Sequence, residues 1–502
     1  PRPKHSLMTD QLHDSRVAIA HGLAEYPRVP PYSPNERYPE YPFSVIQSEP
    51  NPAYALVRES LRLLELDKDS FDTARWNPFR DLIQPGQTVV LKPNLVRDRR
   101  ETLPGLDDCT ITHGSVIRAV LDYVYIALAG RGRIVIADAP MDDADWQALD
   151  HITGLSAMAA FYRQHADFNI EIIDLRLHRD HKINGLIVGR DNLPGDPAGY
   201  VWVDLGEHSA FHEIEHLCHK LYGATYDVAE TRRHHTGGRH EYLVSKTVLG
   251  ADCVIEIPKL KTHQKTGITC NLKLLVGIVG DKDCIAHYRL GVPADGGDQF
   301  AGNSPRERIE RGTLGLFKRV FPRLGPLRRA VARPARRVGE LLFGRTGDVV
   351  RSGNWHGNDT AWRMTHDLMR IVLYADKVGC LQPRPARRLF SVVDAIIAGQ
   401  GNGPLDATPC RMSAILGGMQ PAAVDLVCAR LMNFDDASMP LLAKAFDQHP
   451  MPLSTAGRET AVLGQLRIPP PVGVTLPSQW RIYGSSMQQN ACRPCANQQA
   501  TL

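Results

Sequence analysis

The chain has 502 residues, of which 43% are hydrophobic and 23% charged, and its formal net charge is +4. This composition suits a soluble globular protein with a large core, and it excludes a disordered or collagen-like chain. No run of roughly eighteen or more apolar residues occurs, which excludes a membrane-spanning helix, and the ten cysteines are not spaced as a disulfide framework.

The opening PRPKHSLMTDQ lacks the apolar centre of a signal peptide, so a cytoplasmic setting is expected. Residues 1–85 read as an irregular Pro- and Tyr-rich segment (YPRVPPYSPNERYPEYPF) followed by a helix over 52–66. An α/β body is expected over 86–303. A strand at 87–91 runs into Lys92-Pro93-Asn94, and Thr112-His113-Gly114 precedes an amphipathic helix at 115–128. A strand at 133–137 closes on Asp138-Ala139-Pro140, and another is expected at 169–174. Such strand–helix–strand alternation predicts a parallel sheet. Residues 180–245 form a His-, Gly- and Asp-rich insertion ending in RRHHTGGRHEY.

Residues 252–282, DCVIEIPKLKTHQKTGITCNLKLLVGIVGDK, are the most informative stretch. The apolar run 254–258 reads as a buried strand that empties into a loop bearing Lys259, Lys261, His263, Lys265 and Lys273. Burying several unpaired ammonium groups is costly, so an anionic ligand is the expected reason for them. Further on, residues 304–356 form a basic insertion. Thirteen Arg or Lys against four Asp or Glu between Arg306 and Arg351 give a local excess of nine positive charges. Within it, LGLFKRVFPRLGPLRRAVARPARRVGELLFG alternates apolar and basic residues at helical spacing, broken by Pro322, Pro326 and Pro334. With Phe317, Phe321, Leu341, Leu342 and Phe343 as anchors, that pattern predicts docking on an anionic membrane surface, peripheral and on the cytoplasmic face. The competing reading is a solvated charged insertion. Nucleic acid is not expected as a partner, because stacking platforms and the usual binding modules are missing.

A second α/β part is expected over 357–435: a helix at 359–374, a strand at 389–397, a Gly-rich loop GQGNGPL, a strand at 413–416 and a helix at 421–432. Residues 436–502 read as a tail. Cys492 and Cys495 form a lone CxxC there, better read as free thiols than as a metal site, and no iron–sulfur cluster is expected. The fold class is thus α/β, two-lobed, with mostly parallel sheets and helices on both faces.

Loops that follow the strands of a parallel sheet emerge at one edge, so residues distant in sequence converge there. Lys92, held close to the sheet by the apolar run before it, suits phosphate or carboxylate binding, with Asn94 beside it. His113 is an acid/base candidate or a plain helix cap. Lys259, Lys261, Thr266 and Thr269 supply cations and hydroxyls for an anion, and Gly267 leaves backbone room. His263 is the general acid/base candidate and Lys273 the third cation of the set. His287 is a second imidazole for the same cleft. Asn402 lies in the Gly-rich loop as a further binding group, and Asp425 either faces the site or pairs with Arg430.

At VVLKPNLV (89–96), THGSVIRAVLDYV (112–124), IVIADAP (134–140), ADCVIEIPKLKTHQKTGITCNLKLLVGIVG (251–280), VVDAIIAGQGNGPL (392–405) and PAAVDLVCARLM (421–432), the chain resembles the domain-of-unknown-function 362 family. GNDTAWRM (357–364) and the basic insertion resemble its longer members, associated with bacterial polysaccharide gene clusters. A remoter similarity links residues 251–280 to nickel-pincer lactate racemases. It implies a catalytic role for His263, a cofactor-bearing Lys273, a divalent metal on His287, and an interdomain site. Three functions follow as expectations: an enzyme acting on a phosphorylated or nucleotide-activated sugar; a racemase or epimerase with a metal or lysine-tethered cofactor; and a non-catalytic, membrane-docked accessory protein.

Overall fold

Strand β1 (Arg16–His21) is apolar throughout its middle and lies inside the main sheet, not at its rim. This is the computed structural model of the chain, and it describes residues 11–23, 25–98, 109–183, 186–223, 228–343, 350–464 and 474–480. Helix α1 (Pro52–Leu63) starts at Asn51, whose side chain accepts the Tyr54 N–H. The expected strand–helix–strand unit follows as β2 (Thr88–Pro93), α2 (Gly114–Leu128) and β3 (Arg133–Asp138). It is extended by α3 (Trp146–Thr153), α4 (Leu155–Ala166) and β4 (Ile170–Asp174). The His-rich insertion is built from small pieces: hairpin β5 (His178–Ile183) with β6 (Leu186–Asn192), then β7 (Tyr200–Asp204), β8 (Leu221–Tyr222), α5 (Val228–Arg233), β9 (Glu241–Ser245) and α6 (Lys246–Leu249). Of these, β7 pairs with β9.

Next come β10 (Cys253–Ile257), β11 (Lys259–His263), β12 (Gly267–Thr269), the short helix α7 (Asn271–Leu274) and β13 (Tyr288–Arg289). The basic insertion folds as α8 (Pro305–Val320) and α9 (Arg328–Phe343). Helix α10 (Ala361–Tyr374) is buried along its whole length. After it come β14 (Arg388–Asn402), β15 (Asp406–Gly418), α11 (Pro421–Leu431), α12 (Pro440–Ala443) and β16 (Ala461–Gly464).

The class is mixed α/β with one large, mostly parallel sheet in the order β16-β1-β15-β14-β10-β2-β3-β4, with β11 attached to β14 and β12 to β11. Strands of the 86–303 and 357–435 parts meet in it through the parallel β10–β14 pair. Every residue of β10 is buried, as expected of a strand covered on both faces. From β2 the chain winds outward through β3 to β4, then returns so that β10 lies on the other side of β2. The winding direction therefore reverses between β2 and β10, and a crevice opens at their carboxyl ends.

Several sequence expectations need correction. The first eighty-five residues are not merely irregular, since β1 is a sheet strand paired with both β15 and β16. The GQGNGPL segment is the end of β14 and its turn into β15; Pro404 and Leu405 of that turn line the cavity in this crevice, whereas Asn402 does not. A Cβ on Gly399 would lie 2.7 Å from the Lys261 Cβ, and one on Gly403 would lie 1.9 Å from the Thr262 carbonyl oxygen. These glycines make room for β11. The tail reading fails over its described part: Leu441, Leu442, Leu453 and Trp480 are core residues. The Trp480 indole N–H donates to the Gln264 carbonyl at 2.8 Å. Cys492 and Cys495 lie outside the described residues. Among the expected membrane anchors, Phe321 is buried against Val188 and Ala332 with Phe317 packed beside it. Leu341 and Leu342 are instead 85% and 61% exposed.

Candidate functional site

The crevice between β2 and β10 holds a cavity of about 330 Å³. Six lysines line it (Lys92, Lys182, Lys261, Lys265, Lys273 and Lys282) against two aspartates, Asp138 and Asp142. Apolar groups such as Val96, Met141, Leu274 and Leu405 complete the wall. Of the sequence-predicted residues, Lys92, Asn94, Lys261, His263, Thr269, Lys273 and His287 meet here.

They differ in how much of their bonding capacity is already taken. Lys92 is buried at the end of β2, with its Nζ 2.6 Å from Asp138 Oδ1 and 2.8 Å from the Pro93 carbonyl. The other oxygen of Asp138 accepts the Leu95 N–H. This ion pair exists because Gly277 has no side chain. A Cβ there would lie 2.0 Å from Asp138 Oδ1 and 2.6 Å from Lys92 Nζ. Lys261 Nζ donates to the Thr110 carbonyl at 2.5 Å. Lys265 donates to the Ser352 carbonyl. Lys282 donates to the Val276 and Ala139 carbonyls at 2.6 and 3.1 Å.

Lys273 stands apart, because its ammonium has no hydrogen-bond or ion-pair partner among the described residues. Its position is set from behind. Asp425 accepts the N–H groups of Asn271 and Leu272, both at 2.9 Å, and so fixes the start of α7. Asp425 thus neither faces the cavity nor pairs with Arg430, which bonds Asp436. Burial first, then the neighbouring ammonium groups of Lys282, Lys265 and Lys261, push Lys273 down to about 7. Burial likewise lowers Lys265 and Lys282 to about 8. Burial raises Asp142 to about 6 against the pull of Lys282.

The two imidazoles hold complementary tautomers. Nδ1 of His263 accepts the Lys265 and Thr266 backbone N–H groups at 3.1 and 3.3 Å, so the proton of its neutral ring sits on Nε2. In His287, Nδ1 faces the Ile285 carbonyl at 3.4 Å and carries the proton, leaving an Nε2 lone pair. Burial, reinforced by the charge on Lys273, holds both rings neutral, with His287 lowered to about 3 and His263 also well below its usual value. The buried Thr269 hydroxyl has no bonding partner and is a further group for a ligand.

Four predicted residues lie elsewhere. Lys259 forms a wholly buried ion pair with Asp394 at 3.0 Å and donates to the Tyr26 hydroxyl at 2.8 Å. An irregularity in the β11–β14 pairing between Lys259 and Lys261 separates the environments of the two lysines. His113 caps α2, accepting the Ser115 N–H at 3.2 Å, and stacks on Tyr26 at 4.1 Å between ring centroids. The Thr266 hydroxyl donates within the β11–β12 turn to Ile268. Asn402 accepts the Ser478 N–H at 2.9 Å. His287 belongs to no trio of metal-ligating side chains among the described residues. Sequence reasoning missed Lys182, Lys282 and Asp142 as cavity groups. Lys282 had a signal, being the last cation of the informative stretch, but Lys182 and Asp142 sit in stretches with no distinguishing pattern.

Residues 186–430 match the family model described as Domain of unknown function (DUF362). The match supports the resemblance seen in the sequence. It contains Lys261, His263, Lys273 and His287, whereas Lys92 and Asp138 precede it. No curated protein matches the chain.

Proposed function

We propose that this chain binds a phosphorylated small molecule in the crevice between β2 and β10 and acts on it as an enzyme. One observation carries the reading: Lys273 is a partnerless ammonium among other cations, in a cavity with far fewer carboxylates than lysines. An anion there would relieve the mutual repulsion and restore the ordinary basicity of Lys273. The volume helps to choose its size. About 330 Å³ lies at the low end of the range for small-ligand sites, roughly 300–1,000 Å³. That favours a sugar phosphate, or the diphosphate end of a nucleotide-activated sugar, over a whole nucleotide sugar. The resemblance to longer members from polysaccharide gene clusters points the same way.

Roles follow from protonation. His263 offers Nε2–H as a donor to a ligand oxygen, and His287 offers a lone pair. Lys273, titrating near neutrality, is best matched to general acid–base work. Lys261, Lys265 and Thr269 would hold the anion. A thermal-shift series with inorganic phosphate, pyrophosphate, hexose phosphates and sugar nucleotides tests this. Stabilisation of the wild type that weakens in Lys273→Met supports it, and identical responses of the two proteins overturn it.

A second reading, a racemase- or epimerase-like enzyme with Lys273 as the covalent tether, is favoured by the same lowered basicity. A pKa near 7 leaves free amine for nucleophilic attack at neutral pH. Intact mass would reveal an adduct confined to Lys273. Either reading accommodates peripheral membrane attachment through α8, α9 and the connection between them, which expose Ile309, Leu316, Leu327, Leu341 and Leu342 within a basic segment. No helix among the described residues is long and apolar enough to cross a membrane.

A further inference from the structure

Away from the cavity, the His-rich insertion brings three potential ligands together. Glu215 and Cys218 lie on one short 3-10 segment, His212–Lys220, and His240 immediately precedes β9. Their donor atoms all lie within 4.8 Å of one another. Among the described residues no other such trio of His, Cys, Asp or Glu occurs.

The bonding pattern around His240 is the second, independent observation. Its ring is completely buried, yet neither nitrogen has a hydrogen-bond partner. A neutral imidazole must carry one N–H, and leaving that donor and the opposite lone pair unsatisfied in the interior is unfavourable. Nε2 does approach Glu215 Oε2 at 2.9 Å. The contact is not aligned along the ring N–H, however, and Oε2 is itself an orphan. Two lone-pair atoms this close without a shared proton are arranged as ligands to a common cation.

The surroundings hold each group in place. The Gly238 N–H donates to the other Glu215 oxygen, Oε1, at 3.1 Å, leaving Oε2 to face inward. The His240 backbone N–H is fixed on Asp204 at 2.9 Å, and the Phe211 ring lies beside the imidazole, inclined at 29° with centroids 6.0 Å apart. Cys218 Sγ has only long contacts, to the Ile214 and Phe211 carbonyls at 3.6 and 3.9 Å. Orientation of ligand groups by outer contacts is a recurring property of metal centres.

We propose that Glu215, Cys218 and His240 form a zinc site that pins the 206–220 segment to the start of β9. A thiolate, an imidazole and a carboxylate together suit Zn²⁺, whose bonds of about 2.0–2.3 Å need only a small inward turn of these side chains. Water or the second Glu215 oxygen completes the coordination. On binding, the Cys218 thiol gives up its proton to solvent and the metal takes its place. The site supports the cavity wall from behind. Phe211 packs against His235, and the His235 Nε2–H donates to the Cys284 carbonyl at 2.7 Å, between cavity residues Lys282 and His287.

The test uses the untagged full chain, loaded with Zn²⁺, dialysed and analysed for metal. In parallel, a Co²⁺-loaded sample is examined for the thiolate-to-cobalt charge-transfer absorption. About one zinc per chain is expected, with a sulfur neighbour at about 2.3 Å by X-ray absorption. The cobalt band should vanish in Cys218→Ser. Glu215 is partly exposed, so Glu215→Gln keeps the fold by circular dichroism while retaining markedly less zinc. Wild-type protein that emerges from dialysis free of zinc, or a cobalt form with no thiolate band, overturns the site. Neither result depends on what binds the lysine-lined cavity.

Discussion

Replacing Lys273 by methionine should make the protein more stable at neutral pH, not less. The ordinary lysine value is 10.5, and in the fold it falls to about 7 through burial and neighbouring ammonium groups. One unit corresponds to about 1.4 kcal/mol, so keeping Lys273 charged weakens the fold by up to roughly 4 kcal/mol at pH 7. Lys273 is only half-buried and faces the cavity, where water screens part of that penalty. A gain of about 2 kcal/mol for Lys273→Met is therefore expected, a shift of a few degrees in Tm. The sign with pH follows from linkage. The unfolded chain binds the proton more tightly than the folded one, so the penalty is complete below about pH 7. It shrinks as pH rises toward 10.5 and is absent above that value. Urea denaturation of both proteins at pH 6.5, 8 and 10 should show a difference that narrows steadily. Millimolar phosphate should close part of the gap at the lowest pH by stabilising the wild type alone. Equal stability at pH 6.5, or a methionine variant that is weaker there, would refute the view of Lys273 as an uncompensated cation.

Gly277→Ala should destabilise the fold by about 3 kcal/mol, since its Cβ would intrude between Lys92 and Asp138 and leave a buried charge unpaired; chemical denaturation measures it. Lys259→Met should lose about 3–5 kcal/mol by stranding Asp394, with much of the loss recovered on adding Asp394→Asn, yet the phosphate response should persist in the folded fraction. Anion binding should weaken as pH rises through about 7 to 8, where Lys273, Lys265 and Lys282 lose their protons, so a calorimetric titration that is flat over this range would contradict the roles assigned to them. Leu341→Asp combined with Leu342→Asp should reduce co-sedimentation with anionic phospholipid vesicles at unchanged Tm, because both side chains are exposed.

The sequence alone located β2, β3, β4 and β10, because apolar runs such as 254–258 and 133–137 are written in consecutive residues and form wherever both faces can be covered. The stretch read as a Lys/His loop is instead strands β11 and β12, whose lysines and hydroxyls hide the strand pattern. It also located the cations, since Lys261, His263 and Lys273 follow the central strand within a few turns of chain. Tertiary structure decided which of these cations is available to a ligand. Lys92 and Lys259 look equivalent to Lys273 in sequence, but Asp138 and Asp394, 46 and 135 residues away, neutralise them in the fold. His113 likewise became a cap under Tyr26, and β1 found its place only because β15 and β16 flank it. A charge's partner is chosen by distance in space, and local sequence carries no record of what another strand will bring beside it.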